Sequence, residues 1–326
     1  MKMLKYIHIA LLLCLVAFTT SCEKYFDDVN VDPNRPSDVP PSVLLPSAQA
    51  FYAYGVGGDV SRFTSLFLGQ LSGIDRQFAT YQIYSVTETD TDNWWKFNHY
   101  GGAMFDLHDI IERAEAGDMP QYAGAAKILM AYGLMVATDM LGDVPYDEAF
   151  QGTDNLTPAY NTQEECYAII QTLLTDGKAD LAETGDGAVP GTDDFIYGGD
   201  ATRWTMLANV LSARAHLHLG KRTNDYAAVL TALGTEGVQS FGSSADDAIF
   251  RFGLDETQAA PYYQFNDQRG DIGYTGFLHD TMAAMNDPRA AAYSDGAGGL
   301  GAFFNAPDAP FYFASYMEQK FIEAEA

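Results

Sequence analysis

Residues 121–141, QYAGAAKILMAYGLMVATDML, are rich in Ala, Met and Leu and apolar on nearly every side. A helix with a single apolar stripe lies on a surface, whereas one that is apolar all round needs neighbours on every side. This segment therefore predicts a layered helical protein with the helix at its centre. It ends in Leu141-Gly142-Asp143-Val144-Pro145-Tyr146-Asp147-Glu148-Ala149-Phe150. Gly142 can take a helix-stopping conformation open to glycine, and Pro145 prevents the helix from resuming. Asp143 and Asp147 are expected to stay hydrated or to satisfy nearby backbone donors, so the stretch reads as a structural corner.

Helical signals extend to both sides. Residues 42–72 carry a patchy apolar periodicity that breaks around Gly55-Val56-Gly57-Gly58. Thr91-Asp92-Asn93 is placed to cap a helix over 94–116, with Trp94, Phe97, Gly101, Met104, His108 and Ile111 on one face. Thr162-Gln163-Glu164-Glu165 forms a capping box for a helix to about residue 183. Asp200 or Thr202 caps another through Leu219, and 225–233 supplies a shorter partner. The spacing Trp204-x-x-Leu207-Ala208-x-x-Leu211 matches the first helix of a tetratricopeptide repeat, and Tyr122-x-x-Ala125-Ala126-x-x-Leu129 echoes it. The two starts lie 82 residues apart, against ~34 in the regular repeat, which predicts helix pairs separated by long insertions.

The fold class is thus mainly α: a tetratricopeptide-like helical-pair scaffold over 48–237, then a loop-rich irregular segment over 238–315. In that segment Gly, Pro, Asp and aromatic residues dominate, and 276–286 gives its best helix signal. A loop-rich excursion of this length inside a helical protein is usually functional or mobile. Helical pattern returns over 316–326, where a further scaffold helix starts.

The N-terminal end has a different character. Lys2 and Lys5 precede an apolar run at 7–18 that is too short for an ordinary transmembrane helix, and Thr19-Thr20-Ser21-Cys22 follows. This is the order of a signal peptide over 1–21 with a lipobox-like end, in which Cys22 is lipidated and becomes the mature N-terminus. Thr19 stands where a larger aliphatic residue is usual, and the alternative is an ordinary cleaved signal with an incidental cysteine. Residues 22–47 read as an extended leader, because Asp32-Pro33, Arg35-Pro36 and Val39-Pro40-Pro41 oppose a continuous helix. No later run reads as a bilayer span, which predicts a soluble, tethered body.

Charge and cysteine usage narrow the function classes. Removing Lys2 and Lys5 takes Lys+Arg from 18 to 16 against 44 Asp+Glu, a formal charge of −28. A surface so acidic, with no basic patch, repels phosphate backbones and excludes nucleic acid as a partner. Cys166 is the one cysteine outside the N-terminal stretch, so the body has no disulfide framework and must rely on core burial. There is no HExxH, P-loop, GxSxG or paired CxxC. His216 and His218, two apart on a helix, point to different faces and do not share a metal easily. Glu88 to Asn93 resembles the start of a calcium loop, yet Asn93 replaces the turn glycine and His99 the closing glutamate. It reads as a capped acidic turn, and no cofactor is expected. Carboxylate pairs for glycoside hydrolysis can be drawn many ways among 44 acids, with nothing to single one out. Arg269-Gly270-Asp271 reads as loop chemistry.

These pieces carry a family resemblance. Leu141-Gly142-Asp143-Val144-Pro145-Tyr146-Asp147-Glu148-Ala149 resembles the GDVPYxEA signature of the SusD/RagB nutrient-binding outer-membrane lipoproteins, in the SusD-like branch. Ser21-Cys22 followed by Asn30-Val31-Asp32-Pro33-Asn34 is similar to the family's lipidated start. Trp204 to Asn209 with Arg214 resembles its W..LAN.L..R helix. Asn286-Asp287-Pro288-Arg289 matches its DPR corner, and Phe321-Ile322-Glu323-Ala324-Glu325-Ala326 its late F..AEA helix. Five blocks in family order span nearly the whole chain. Members generally continue for roughly a hundred residues beyond the last block to close the scaffold, so this chain is expected to be a truncated product or a fragment.

The resemblance implies a non-enzymatic, lipid-anchored outer-membrane protein facing the cell exterior. Its implied partner is a SusC-type TonB-dependent transporter, to which it delivers captured oligosaccharide, or peptide as in some relatives. The alternatives are a lipid-anchored glycan-degrading enzyme and a ligand-free tethered scaffold. Sugar recognition calls for an exposed aromatic platform beside planar polar groups. In the loop-rich segment Tyr262, Tyr263, Asn266, Asp267, Gln268 and Arg269 form the best local constellation, with Trp95, Tyr81 and Tyr84 second. Trp94 and Trp204 are assigned to the core.

Overall fold

The computed structural model describes residues 39–234 and 239–326; the signal, Cys22 and most of the leader lie outside the described residues. The first helix, α1 (Pro41–Gly55), winds without a break through a π-helical turn (Val56–Val60) into α2 (Ser61–Phe67). Strand β1 (Ser72–Gly73) and α3 (Arg76–Tyr81) come next, then a longer π-helical stretch (Trp94–Met104) that runs directly into α4 (Phe105–Ala116). The long helices α5 (Pro120–Leu141), α6 (Gln163–Ala182) and α7 (Ala201–Thr223) follow, with the shorter α8 (Ala227–Leu233). Beyond them lie β2 (Ala248–Phe250), α9 (Pro261–Arg269), β3 (Ile272–Gly273), α10 (Phe277–Ala284), α11 (Ala290–Tyr293), β4 (Phe311–Ala314) and α12 (Tyr316–Glu325).

Helix α5 sits where its composition sends it. It packs against α4, α6 and α7, and each long helix packs on its sequence neighbours, the arrangement of tetratricopeptide-like pairs. By length and hydropathy α5 would also pass as a bilayer span, contrary to the expectation that no such run exists; 72% of its apolar window is buried inside the protein. Its apolar circumference thus answers to neighbouring helices. Trp204, Leu207, Ala208 and Leu211 are all at most 1% exposed, as are Ala125, Ala126 and Leu129, so the bulky-small-bulky spacing does interlock helices.

The caps fall largely as the residue types dictate. Thr162 and Glu165 form the reciprocal capping box of α6, Asp200 accepts from the Thr202 and Arg203 amides at α7, and Ser315 caps α12. The corner after α5 is internally satisfied. Val144 and Asn161 bridge as antiparallel backbone, and the Asn161 side-chain oxygen Oδ1 accepts from the Tyr146 and Asp147 amides at 3.1 and 3.0 Å. Asn161 also donates to Asp147 at 2.7 Å, while Asp143 and Glu148 accept from the Gln163 and Ala159 amides.

Three expectations near the N-terminal side are corrected. The helix begins at Pro41, not after residue 47: Pro41 occupies the helix start, where its missing N–H costs nothing. Pro46 is carried inside α1 by the burial of Leu45, Ala48, Gln49, Tyr52 and Ala53. The glycine run at 55–58 does not break the helix either, because π-helical winding carries the chain across it. Finally, Asn93 makes no side-chain cap, and 94–104 winds as π-helix. Its wider turn puts His99 inside and leaves Phe97 65% exposed, so the face drawn at α-helical spacing holds at Trp94 and Met104, which are buried, and fails at Phe97 and Gly101.

Two hydrophobic clusters result. The larger joins α1, α4 to α8, β2, β4 and α12. The smaller takes Phe63, Leu66, Leu71, Phe78 and Tyr81 from one part of the chain and Tyr262, Ile272, Tyr274, Met282 and Leu300 from another. Ladder β1–β3 pairs Ser72 with Gly273, and β2–β4 pairs Phe250 with Phe311. The described part of the loop-rich segment, 239–315, is therefore clamped to residues 60–84 rather than standing apart from the scaffold. At the far side, Arg214 of α7 grips Glu318 of α12 through two bonds of 2.7 and 2.8 Å and donates to the Phe313 carbonyl at 2.8 Å. Burial works against the Arg214 charge, and Glu318, with smaller help from Tyr132 and Asp139, more than restores it.

Candidate functional site

Residues Ser47, Ala50, Phe51 and Tyr54 recur at the spacing that places them on one face of α1. That face floors a cleft of about 660 Å³. The opposite wall comes from three other places: Asn98 on the π-helical stretch, Phe195 in the loop before α7, and the run from Phe250 to Gly253 with Gln258 behind it. Gly55 makes the first junction: a Cβ there would lie 2.7 Å from that of Asn98. The π-winding and this glycine together bring Asn98 over α1.

Phe195 is held by a buried polar hub. Asp194, 3% exposed, accepts on one oxygen from Gln49 Nε2 at 2.8 Å and the Ile196 and Tyr197 amides at 3.1 and 3.3 Å. Its other oxygen accepts from the Gly199 amide at 2.9 Å and the Trp204 indole at 2.7 Å. Gln49, fully buried on α1, returns its own carbonyl oxygen to the Phe195 amide at 2.8 Å. A buried carboxylate with this many donors is fixed in place, and the next residue is fixed with it. The Phe195 ring stays 53% exposed and packs edge-on to Phe250 at 6.0 Å, which in turn meets Phe252 at 5.2 Å.

The cleft thus offers five aromatic rings (Phe51, Tyr54, Phe195, Phe250 and Phe252) with planar polar groups from Asn98, Arg251 and Gln258. Apolar faces beside planar hydrogen-bonding groups suit a neutral, hydroxyl-rich ligand. Tyr54 is steadied by donating to Gln264 Oε1 at 2.9 Å, and Ser47 by donating to Asp106 at 2.9 Å. Burial raises the Asp106 pKa, an effect the Ser47 bond reduces. Behind Asn98, His99 bonds the Gly133 carbonyl through Nε2 at 2.9 Å. Burial pushes its pKa down to about 3 against the pull of that bond, so the ring is neutral.

The residues singled out from sequence lie elsewhere. Residues 261–269 form a helix, not a loop, opened by Pro261 and closed by Gly270 at φ 63°. Tyr262 is only 6% exposed, its hydroxyl 3.2 Å from Ser65 Oγ, so it is no exposed platform. Tyr263 is half-buried, Asn266 donates to Asn305 at 2.8 Å, and Asp267, Gln268 and Arg269 are exposed. Tyr81 is likewise buried at 6% and donates to Asp90 at 2.7 Å. Tyr84 is 71% exposed and tied to the Phe67 carbonyl at 2.9 Å. Trp95 is half-buried in a column of stacked rings, 5.3 Å from Tyr100, which stacks on Phe150 at 5.2 Å. None of these lines the cleft. Trp94 and Trp204 are core, as expected. The cleft residues were missed because they are scattered across the chain; the one local signal was the helical spacing of Ala50, Phe51 and Tyr54, which reads equally as core.

Fold and cleft together define a mainly α, tetratricopeptide-like protein with an aromatic ligand-sized cleft along its first helix. Comparison with known proteins agrees. Residues 33–302 match the model of a SusD-like family described as starch-binding and associating with the outer membrane, and the chain belongs to that family. It is similar to a SusD/RagB family protein from Bacteroides thetaiotaomicron at 26% identity and a TM-score of 0.77, over 88% of this chain and 67% of that one. A chitin-binding protein shares the fold at 20% identity and a TM-score of 0.72, over 88% and 70% of the two chains. So does a SusD-like protein from Bacteroides thetaiotaomicron at 18% identity and a TM-score of 0.70, over 88% and 65%. No curated protein sequence matches.

Proposed function

We propose that this protein captures oligosaccharides at the outer membrane in the cleft along α1, and delivers them to a SusC-type TonB-dependent transporter without altering them. In this reading Cys22 carries the lipid that tethers the chain at the cell surface, with 22–40 as its leader. The family is one of starch-binding, outer-membrane-associated proteins, which supports glycan as the ligand class and the membrane as the location. The observation that carries the reading is the cleft itself: five aromatic rings beside Asn98, Arg251 and Gln258 in about 660 Å³, within the range of small-molecule sites, roughly 300–1,000 Å³. The acidic surface, −26 over the full chain, favours neutral over anionic glycans.

Calorimetry with a panel of neutral oligosaccharides on the mature chain tests this. At least one should bind and be recovered unchanged, with Phe195→Ala or Asn98→Ala weakening it about tenfold, the scale of one lost stacking or hydrogen-bonding contact. Peptides serve as the comparison ligands. Binding indifferent to both substitutions, or cleavage of the glycan, would overturn the reading.

A further inference from the structure

The helical face that floors the cleft does not stop at Tyr54. It continues through Gly57 on the π-helical turn to Ser61 on α2, where it floors a second, smaller pocket of about 180 Å³. Phe252 borders both cavities, and Ala259 of the first adjoins Ala260 of the second. Two sites on one helical stripe with one shared aromatic wall can receive two parts of a single ligand.

Their chemistries differ. The cleft mixes aromatic rings with amide and guanidinium groups; among the described residues, no charged or amide side chain lines the small pocket. Its walls are Phe252, Tyr262, Phe303, Phe304, Phe311 and Tyr312, completed by prolines and alanines. The Phe311 ring reaches the helix only because position 57 is glycine, where a Cβ would lie 2.9 Å from it. The Tyr262 hydroxyl is already engaged with Ser65, leaving Ser61 and Tyr312 as the other lining hydroxyls. A sugar ring placed there would leave most of its hydroxyls without partners, a cost of roughly 1–3 kcal/mol each. An aromatic ring would not, and an apolar cavity of about 150 Å³ is enough to hold benzene.

We propose that this pocket receives an aromatic acyl group esterified to the glycan, so that the protein selects aryl-esterified oligosaccharides over bare ones. The proposal rests on the glycan-capture reading above and names the decoration that accompanies the sugar. The ester linkage crosses the rim at Phe252, and the aryl ring stacks among Phe303, Phe304 and Phe311. The buried Tyr262 thus has a place at a ligand, as one wall of an acyl pocket rather than as a sugar platform.

The experiment uses the mature full chain with three probes: methyl cinnamate, a cinnamoyl-esterified oligosaccharide, and the same oligosaccharide after alkaline removal of the ester. The esterified glycan is expected to bind at least ~10-fold tighter than its de-esterified form, the scale of burying one ring. Ala309→Leu, which fills the pocket from a loop, should abolish that preference and the binding of methyl cinnamate while leaving the de-esterified glycan unaffected. Phe303→Ala, which removes a half-exposed wall, should weaken the preference without risk to the core. Equal affinity for the two glycans, or a preference indifferent to both substitutions, overturns the acyl pocket and leaves glycan capture standing. Methyl cinnamate binding that Ala309→Leu removes, with neither oligosaccharide bound, overturns glycan capture and the esterified glycan with it, and leaves only an aryl-binding cavity.

Discussion

Replacing Asp194 by Asn tests whether the hub behind the cleft carries the weight its geometry implies. The substitution keeps the shape and swaps one acceptor oxygen for an NH2 group. If the amide nitrogen takes the position facing Gly199 and Trp204, two donors lose their acceptor. If it takes the other, Gln49, Ile196 and Tyr197 lose theirs. Either way at least two hydrogen bonds to a buried charged acceptor are lost and donor is set against donor. At roughly 1.5–3 kcal/mol each, the loss is about 3–6 kcal/mol, a large part of the 5–15 kcal/mol typical of whole proteins. Trp204→Phe is the internal comparison: it removes one donor and leaves the Gly199 bond in place, so it should cost less than Asp194→Asn. Equilibrium urea unfolding followed by far-ultraviolet circular dichroism measures both. Because Gln49 joins Asp194 to the Phe195 backbone, any glycan affinity should fall with Asp194→Asn even below the unfolding transition. A stability loss under about 1 kcal/mol, with affinity unchanged, would refute the hub as the cleft's support.

Three further outcomes follow from buried groups. Because the folded-state pKa of His99 lies near 3 and its unfolded value near 6.5, the unfolded chain binds the extra proton between those limits. The stability His99 contributes is complete above about pH 6.5 and falls with pH by about 1.4 kcal/mol per unit. Denaturation midpoints of wild type and His99→Gln should therefore differ most at pH 7 and draw together as the pH falls to 4, because only wild type loses this contribution. Glu318→Ala strands the largely buried Arg214 and should cost about 3–5 kcal/mol, whereas Arg214→Met with Glu318→Leu should recover much of it; chemical denaturation decides. Tyr52 is fully buried and its hydroxyl finds no partner among the described residues, so Tyr52→Phe should be neutral or stabilising. Gly133→Ala would set a Cβ 1.8 Å from that hydroxyl and should lower thermal stability sharply.

Much of the scaffold was legible because its signals are local. An all-apolar run states that a helix is central, Thr162 with Glu165 states where one begins, and Gly142 with Pro145 states where one ends. Each depends on residues within a turn of each other. The motif Trp204-x-x-Leu207-Ala208 was readable as packing, Arg214 was visible in a family block, and Glu318 lies three residues before another. Their bidentate bond was not, since 104 residues separate them.

The cleft was not legible for the same reason. Phe51, Asn98, Phe195 and Phe252 become neighbours only when α1, a π-helical stretch, the Asp194 loop and the chain after β2 converge. Two decisions were tertiary. Packing around His99 and Gly55 accompanies π rather than α winding at 94–104, which turns Phe97 out and brings Asn98 to the cleft. The second hydrophobic cluster took Tyr81 and Tyr262 inside, because a large aromatic ring gains more from burial against other rings than from exposure to water. Sequence by itself determined a layered helical protein, because periodicity and caps act over a few residues, and its motif blocks carried the resemblance to the SusD-like family. Tertiary structure decided which aromatic rings face a ligand, because exposure is a property of what packs against a side chain and not of the side chain itself.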